Sequence, residues 1–212
     1  MGSKAMRYDR MVRDRKDDEL GLFEKYDEVL EEIRGMINAA GDDNVLDIGC
    51  GTGNLCGCLD GGINVVGMDQ SPDMLKEAKI KYGNMKLRLG NFLDEPYCRG
   101  FFDTVVTTFA FHILRDEEKK LALNNMLGFL KDNGRIIIGD YMFRNSKERE
   151  QCREQLLGQQ KNDLWEVIES RYYINIESFT EHVLSLGLKI SFKHIVNFTW
   201  LAVIEKTGAP GA

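Results

Sequence analysis

Short apolar runs alternate with amphipathic stretches through the middle of the chain. Five of these runs are rich in β-branched and aliphatic residues, which is typical of strands. They predict strands at Val45–Ile48, Val65–Met68, Lys86–Leu89, Phe102–Thr108 and Arg135–Gly139. Helical spacing of apolar residues predicts helices at Met74–Tyr82 and Glu117–Leu130, the second closed by a turn at Asn133-Gly134. Another helix is expected directly after Gly53. This alternation predicts a doubly wound parallel sheet with helices on both faces.

The beginning of the chain has a different pattern. Apolar positions at helical spacing predict an amphipathic helix from about Leu20 to Ala39, and residues 1–40 are expected to form a helical cap. The stretch from Arg7 to Glu19 mixes basic and acidic side chains, which predicts a solvated or mobile segment rather than a phosphate clamp.

The last third of the chain interrupts the alternation of strands and helices. Residues 144–175 are strongly polar and helical in pattern, with Gly158 as a break, and we expect them to form a lid. A helix at Ile176–Leu186 follows. The strands predicted at Leu188–Ile195 and Phe198–Glu205 are close enough in sequence to pair as an antiparallel hairpin.

Composition limits the classes of protein to which the chain belongs. With 212 residues, of which 43% are hydrophobic and 29% charged, it is expected to be one globular domain over 1–212. No apolar run reaches the roughly 20 residues of a membrane helix. Five cysteines without an apolar signal-peptide core predict a reducing, cytoplasmic location. A net charge of −6 argues against tight binding to nucleic-acid phosphates.

The strand at Val45–Ile48 leads into a glycine-rich loop. Its acid, Asp47, is followed by glycines at alternate positions, Gly49, Gly51 and Gly53. Glycine lets a backbone turn sharply and lie close to a ligand. A strand followed by such a loop therefore predicts a nucleotide-type binding site. A glycine-rich turn in an unrelated α/β protein is the alternative.

The loop departs from two common phosphate-binding patterns. Asn54 stands where the dinucleotide pattern Gly-x-Gly-x-x-Gly has its third glycine, and no Gly-Lys-Ser or Gly-Lys-Thr follows. The Asp47 carboxylate would repel a phosphate and suits a ligand with a positive centre or an amino group. Cys56 and Cys58 are expected to be packing residues on the next helix, because positions i and i+2 do not face each other. No metal site is predicted.

Polar residues also follow the next two strands. Asp69 ends the second strand, where a carboxylate accepts hydrogen bonds from ribose hydroxyls and indicates an adenosine-type ligand. Asn91 and Phe92 follow the third strand. Ligands of parallel sheets bind at the carboxyl ends of the strands, so these residues are expected to lie at one edge.

These motifs resemble those of the class I methyltransferases that use S-adenosylmethionine. The resemblance runs from about Tyr8 to Lys206 and is strongest between Val45 and Asp140. It is greatest to small, poorly characterised bacterial methyltransferases. The motifs shared with them are Phe111-His112, Asp116–Lys119, Asn162–Leu164 and Arg171–Tyr173. The resemblance implies a Rossmann-like fold, a last hairpin that completes a seven-stranded sheet, and S-adenosylmethionine as the cofactor.

The resemblance also implies where the cofactor binds. The loop that starts at Asp47 would cradle its methionine half, Asp69 would bind the ribose, and the pair Asn91-Phe92 would hold the adenine. The family more often has Asp at the position of Asn91. A tyrosine in the place of Tyr8 folds over the methionine end. The predicted cofactor-binding residues are Tyr8, Asp47, Gly49, Cys50, Gly51, Gly53, Asn54, Asp69, Gln70, Asn91 and Phe92.

Methyl transfer from a sulfonium depends mainly on alignment and exclusion of water, so a dedicated catalytic residue is optional. Where the acceptor loses a proton, His112 after the fourth strand is the candidate base, and packing beside the cofactor is its alternative role. Asp140 and Tyr141 end the fifth strand and are candidates to orient the acceptor, or are turn residues. Candidate substrate contacts, or else packing residues of the lid, are Arg171, Tyr172 and Tyr173.

The acceptor is predicted by elimination. The motif Asp/Asn-Pro-Pro-Tyr, which holds an amino nitrogen in nucleic-acid and glutamine methyltransferases, does not follow the fourth strand. No cysteine ends the fourth or fifth strand to attack a pyrimidine. We therefore expect a small-molecule acceptor and no nucleic-acid or membrane partner, and leave a homodimer open. The alternatives are a protein that binds the cofactor or its demethylated product without chemistry, and a nicotinamide oxidoreductase.

Overall fold

The structure is a computed structural model that describes residues 4–14, 18–42, 44–59, 61–83, 85–95 and 99–206. The helices of these ranges are α1 (Lys4–Asp14), α2 (Tyr26–Ala40), α3 (Pro72–Lys81), α4 (Asp116–Phe129), α5 (Ser146–Gly158), α6 (Asn162–Glu169) and α7 (Ile176–Ser185). The strands are β1 (Asn44–Ile48), β2 (Asn64–Asp69), β3 (Lys86–Leu89), β4 (Phe102–Thr108), β5 (Leu130–Phe143), β6 (Ile174–Asn175), β7 (Leu188–Val196) and β8 (Thr199–Lys206). Single 3₁₀ turns lie at Cys56–Cys58 and Phe111–Ile113.

The main path of the sheet has the strand order β3-β2-β1-β4-β5-β8-β7. Strands β1 to β5 run parallel to one another, whereas β8 is antiparallel to both β5 and β7. The two-residue β6 pairs with the end of β5 beside this path. The predicted doubly wound, Rossmann-like sheet with an antiparallel C-terminal hairpin is confirmed. The strand order reverses between β1 and β4, so the loops after these strands diverge and open a crevice at the carboxyl edge.

The central strands are buried on both faces, which explains their continuous apolar runs. On one face, Leu46 of β1 packs with Leu123 of α4. On the other face, Val45 packs with Ile33 of α2. A third cluster packs α5 and α6 against the end of β5, with Tyr141 at its centre. No helix in the described ranges is long and apolar enough to cross a bilayer.

The structure corrects two expectations about the N-terminal region. Most charged side chains of the stretch predicted to be solvated or mobile are exposed, but the stretch is helical as far as Asp14, because α1 buries Ala5 and Val12 on one side. Residues 15–17 of that stretch lie outside the described ranges. Helix α2 begins at Tyr26 rather than near Leu20, because the Asp18 carboxylate accepts the N–H groups of Leu22 and Phe23 and holds a turn.

Two further expectations were wrong. Cys56 and Cys58 lie in one 3₁₀ turn rather than a helix, and the Tyr82 ring packs so closely on this turn that a Cβ at Gly57 would lie 2.3 Å from it. The predicted turn at Asn133-Gly134 is part of β5, which follows α4 directly. The shift in register between Phe102 and Thr104 of β4 absorbs the extra residues of β5.

Candidate active site

The glycine loop follows β1 at the carboxyl edge of the sheet. Its backbone φ angles are 76° at Gly49, 54° at Gly51 and 81° at Gly53, in the left-handed region that side chains disfavour. A Cβ on Gly49 would also lie 2.5 Å from the Cβ of Ala110. A Cβ on Gly51 would meet no atom within 4 Å, so this glycine is required by its backbone conformation alone.

Asp69 connects this loop to the next strand. One oxygen of its carboxylate accepts the backbone N–H of Gly51 at 2.9 Å, and the other accepts that of Ser71 at 2.8 Å. Each oxygen keeps a further lone pair that a ribose hydroxyl can use. The carboxylate therefore fixes the loop in addition to its predicted role as a ribose ligand.

A cleft of about 480 Å³ lies beside Asp69. Its walls contain Gly49, Asp69, Gln70, Asn91 and Phe92, residues that the sequence predicted to bind the cofactor. The side-chain oxygen of Asn91 accepts the N–H of Leu93 at 2.8 Å, and the buried Phe92 ring forms a T-shaped contact with Phe111. The volume falls in the usual range for small-molecule sites.

Asp47 lies on β1, fully buried beneath the loop. Neither carboxylate oxygen has a hydrogen-bond partner among the described residues. Burial raises the pKa of Asp47 to about 7; the nearby Cys56 thiol opposes the rise and the charge of Asp69 adds to it. A buried carboxylate without a partner is costly. The site therefore fits a cationic group such as the ammonium of a methionine moiety.

His112 lies in the 3₁₀ turn that follows β4 and forms a buried pair with Asp140. Asp140 and Tyr141 lie within β5 rather than at its end, because the strand continues to Phe143. The His112 Nδ1 atom lies 2.7 Å from one oxygen of Asp140, and the His112 backbone N–H donates to the other at 2.9 Å. The backbone N–H of Tyr141 donates to the first oxygen as well, at 2.7 Å. With its Nδ1–H directed at the carboxylate, the His112 ring keeps Nε2 as a proton acceptor.

Aromatic rings surround this pair. The Tyr141 and Tyr173 centroids lie 5.0 and 6.4 Å from that of His112, and Phe109 lies 5.5 Å from Tyr141. Tyr8 packs against the same apolar cluster as Phe109. Burial raises the pKa of its hydroxyl, and the charges of Tyr26 and Asp140 contribute. These rings exclude water and so strengthen electrostatic interactions at His112.

The predicted substrate contacts, Arg171, Tyr172 and Tyr173, differ in how deeply they are buried beside the 3₁₀ turn that contains His112. The backbone N–H of Tyr172 donates to the His112 carbonyl at 2.8 Å, while its ring is 41% exposed and lies over the ammonium of Lys119. Tyr173 is buried against His112, whereas Arg171 is half-buried and adjoins the site through the tyrosines. The structure thus brings Tyr173 to the centre, and leaves the Tyr172 ring outside it.

Comparisons with known proteins agree with this geometry. Residues 45–134 match the methyltransferase domain family. An uncharacterised methyltransferase of Staphylococcus carnosus is 34% identical over 203 residues, which cover 95% of each chain. One from Alkaliphilus oremlandii is 33% identical over 96% of this chain and 94% of its own. This chain belongs to the S-adenosylmethionine-dependent methyltransferases.

Solved structures of low sequence identity share the fold of this methyltransferase. The magnesium protoporphyrin IX methyltransferase of Synechocystis, with bound S-adenosylhomocysteine, superposes with a TM-score of 0.66 at 17% identity and covers 97% of this chain and all of its own. A protein of Pyrococcus horikoshii gives a TM-score of 0.68 at 18% identity over 98% of this chain and 100% of its own. These similarities show the fold alone.

A polar cluster in the methyltransferase was missed by the sequence analysis. The Asp9 carboxylate of α1 accepts the hydroxyl of Thr52 at 2.6 Å and the amide of Asn54 at 3.0 Å, and pairs with Lys81 of α3 at 3.0 Å. Burial alone would raise the pKa of Asp9, but these hydrogen bonds outweigh it and lower the pKa. The cluster fastens α1 to the glycine loop. Its members lie up to 72 positions apart, so no local pattern could reveal them.

Among the described residues, the remaining cysteine and acidic side chains form neither a reactive thiol site nor a metal site. Cys50, Cys56, Cys58 and Cys152 are free thiols. Burial raises the pKa of the Cys50 and Cys56 thiols well above their usual range, so both are packing groups rather than nucleophiles. Within the described parts of the chain, no group of three His, Cys, Asp or Glu side chains is placed to hold a metal ion.

Proposed function

We propose that this methyltransferase transfers the methyl group of S-adenosylmethionine to a small-molecule acceptor, with His112 as the general base. The buried His112–Asp140 pair carries the proposal, because it fixes the imidazole tautomer at the carboxyl edge, next to the cofactor cleft. A histidine that only packed beside a ligand would not need a buried carboxylate at its ring nitrogen.

The residues of the cofactor cleft have separate roles in this proposal. The glycine loop and Asp47 would hold the cationic methionine half, Asp69 the ribose, and Asn91 with Phe92 the adenine. When bound, the cofactor supplies an electrophilic methyl carbon on a positively charged sulfur. His112 would take the proton of the acceptor through Nε2, while Asp140 stabilises the imidazolium that results.

Two helical segments would close the site. We propose that residues 144–175 act as a lid over the acceptor and residues 1–40 as a cap over the methionine end. The contact of Tyr172 with the His112 turn supports the lid, and the Asp9 cluster supports the cap. The free thiols favour work in a reducing cytoplasm.

The test begins with calorimetric titration of S-adenosylhomocysteine, S-adenosylmethionine and NAD into the wild-type chain, Asp69→Ala and the control Asp132→Ala, which removes an exposed acid. We expect micromolar binding of both adenosyl ligands, no binding of NAD, and a loss of tenfold or more in Asp69→Ala only. A screen of small acceptors, measured by release of S-adenosylhomocysteine, follows. Binding of NAD instead would favour an oxidoreductase, and adenosyl binding without turnover would favour a non-catalytic binding protein.

A further inference from the structure

A second cavity lies next to the aromatic cluster and away from the cofactor cleft. It has a volume of about 400 Å³ and is enclosed by α1, the turn after Asp18 and helix α6. Apolar side chains form much of its wall, among them Leu22, Phe23 and Leu164. Leu22 and Phe23 belong to the same cluster as Tyr141 and Tyr173, so the cavity adjoins the wall of the proposed acceptor site. This position suits the body of an apolar acceptor.

The charged groups of this cavity are arranged by depth. Arg7 and Arg10 are exposed at the rim, whereas Arg171 is half-buried. The charge of Arg171 acts on both Tyr141 and Tyr173, where it opposes the rise in pKa that burial causes. Arg171 lines the cavity and directly precedes Tyr172 and Tyr173, whose backbone N–H and ring, respectively, contact His112.

The acids of the cavity do not neutralise Arg171. Both oxygens of Asp18 accept backbone N–H groups at 2.7 Å, and Asp14 and Glu19 are exposed at the rim. No carboxylate of the described residues lies within ion-pair distance of Arg171. A half-buried guanidinium without a counter-charge is a binding group for an anion.

A second polar group lies at this boundary. The hydroxyl of Tyr173 is buried and meets normal hydrogen-bond geometry with no group of the described chain, but the Arg171 guanidinium is close enough to lower the pKa that burial raises. A buried hydroxyl with so weak a contact can hydrogen-bond a ligand. Tyr173 adjoins both Arg171 and His112. An acceptor that reaches from Arg171 to His112 would therefore pass the Tyr173 hydroxyl, which can hydrogen-bond an oxygen atom of the acceptor.

We propose that the acceptor is a small carboxylic acid with an apolar or aromatic body, and that Arg171 binds its carboxylate while its nucleophilic atom meets His112. This rests on the proposed function. At the rim, Arg7 and Arg10 balance the two exposed acids, so the inner guanidinium sets the charge that the acceptor meets. One guanidinium matches one negative charge, and a carboxylate carries one.

The experiment compares aryl carboxylates with their neutral amides. Phenylacetate and 3-phenylpropanoate, phenylacetamide and 3-phenylpropanamide, and phenyl phosphate are titrated into the full chain with and without S-adenosylhomocysteine. We expect each carboxylate to bind about tenfold to a hundredfold more tightly than its amide. Arg171→Ala should remove this preference and Arg171→Lys should keep part of it. The control Arg13→Ala, an exposed arginine of α1 outside the cavity, should not change it.

Three results would overturn the inference. They are equal binding of carboxylates and amides, an equal effect of Arg171→Ala and Arg13→Ala, and tighter binding of phenyl phosphate than of either carboxylate. Binding of S-adenosylhomocysteine is measured on every variant. Normal cofactor binding without carboxylate preference would sink this inference and leave the proposed function standing. Failure of the cofactor to bind the wild-type chain would refute the proposed function, and with it the role of a carboxylate as the acceptor, whatever preference is scored without cofactor.

Discussion

The two halves of the carboxyl edge are built by different means. In the cofactor half, after β1 to β3, the backbone conformation of glycines shapes the site, and the key bracing contact joins Gly51 and Asp69, 18 positions apart. In the acceptor half, after β4 and β5, buried side chains from distant segments shape it, as in the His112–Asp140 pair across 28 positions. The first half depends on local chain geometry and the second on packing. Substitutions in the two halves should therefore fail in different ways.

The largest expected effect belongs to the acceptor half. His112→Ala should lower kcat by about 10²–10⁴-fold with an acceptor that must lose a proton, because the proposed base is removed. The dissociation constant of S-adenosylhomocysteine should stay within about twofold, since His112 is not part of the cofactor cleft. Steady-state kinetics and calorimetry measure the two quantities. His194→Ala, an exposed histidine on β7, is the control, and an equal loss of rate in it would exclude His112 as the base.

The pH dependence of stability that Asp47 causes provides a test of the cofactor half. The folded pKa of Asp47, about 7, is raised above the ordinary 3.8, so the folded chain holds this proton more tightly than the unfolded chain. Its contribution therefore favours folding at low pH and is lost as pH rises from about 4 to 7. Asp47→Asn should be more stable than wild type by up to about 4 kcal/mol above pH 7, with little difference near pH 4.

Urea unfolding of the ligand-free chain at pH 4.5 and 8 measures this difference, with Asp132→Asn as an exposed control. Binding of S-adenosylhomocysteine near pH 6 should release a proton from Asp47 in wild type but not in Asp47→Asn. Calorimetry in buffers with different heats of ionisation detects the release. Identical pH profiles for the two variants would show that Asp47 is not an isolated buried acid.

Gly49 tests whether backbone geometry alone shapes the cofactor half. Gly49→Ala places a Cβ at φ 76° and against Ala110, which should lower the free energy of unfolding by about 2–3 kcal/mol and weaken cofactor binding. Gly128→Ala, in α4 with open space around it, should instead raise stability by about 0.5–1 kcal/mol. Chemical unfolding of the two variants and the wild type measures these differences in the free energy of unfolding. Equal stability of Gly49→Ala and wild type would refute the role of backbone strain here.

The smallest effect should come from the cluster that joins α1 to the loop. Lys81→Ala removes the partner of Asp9 and should raise the dissociation constant of S-adenosylhomocysteine about three- to tenfold, since the pair is mostly buried. Hydrogen exchange in α1 should become faster. Lys76→Ala, which removes an exposed lysine of the same helix, should leave the dissociation constant and the exchange rate unchanged. Unaltered exchange in Lys81→Ala would mean that the cluster does not hold α1.

The sequence predicted correctly the features that depend on residues close together in the chain. The strands β1 to β5 and their parallel sheet followed from apolar runs separated by helical spacing, and the loop followed from alternate glycines after Asp47. It failed at the N-terminus, where a charged stretch became α1 by burying Ala5 and Val12. It also missed the roles of Asp9 and Lys81, because their partners come from three separate elements.

The sequence by itself determined the parallel sheet, the glycine loop and the acids at the strand ends, because glycine conformation and strand periodicity are properties of neighbouring residues. Only the tertiary structure decided that Asp140 fixes His112, that Asp47 is buried without a partner, and that Arg171 faces a cavity beside the tyrosines. Those features arise from desolvation and from contacts between segments far apart in the chain. Neither is encoded in a short window of residues.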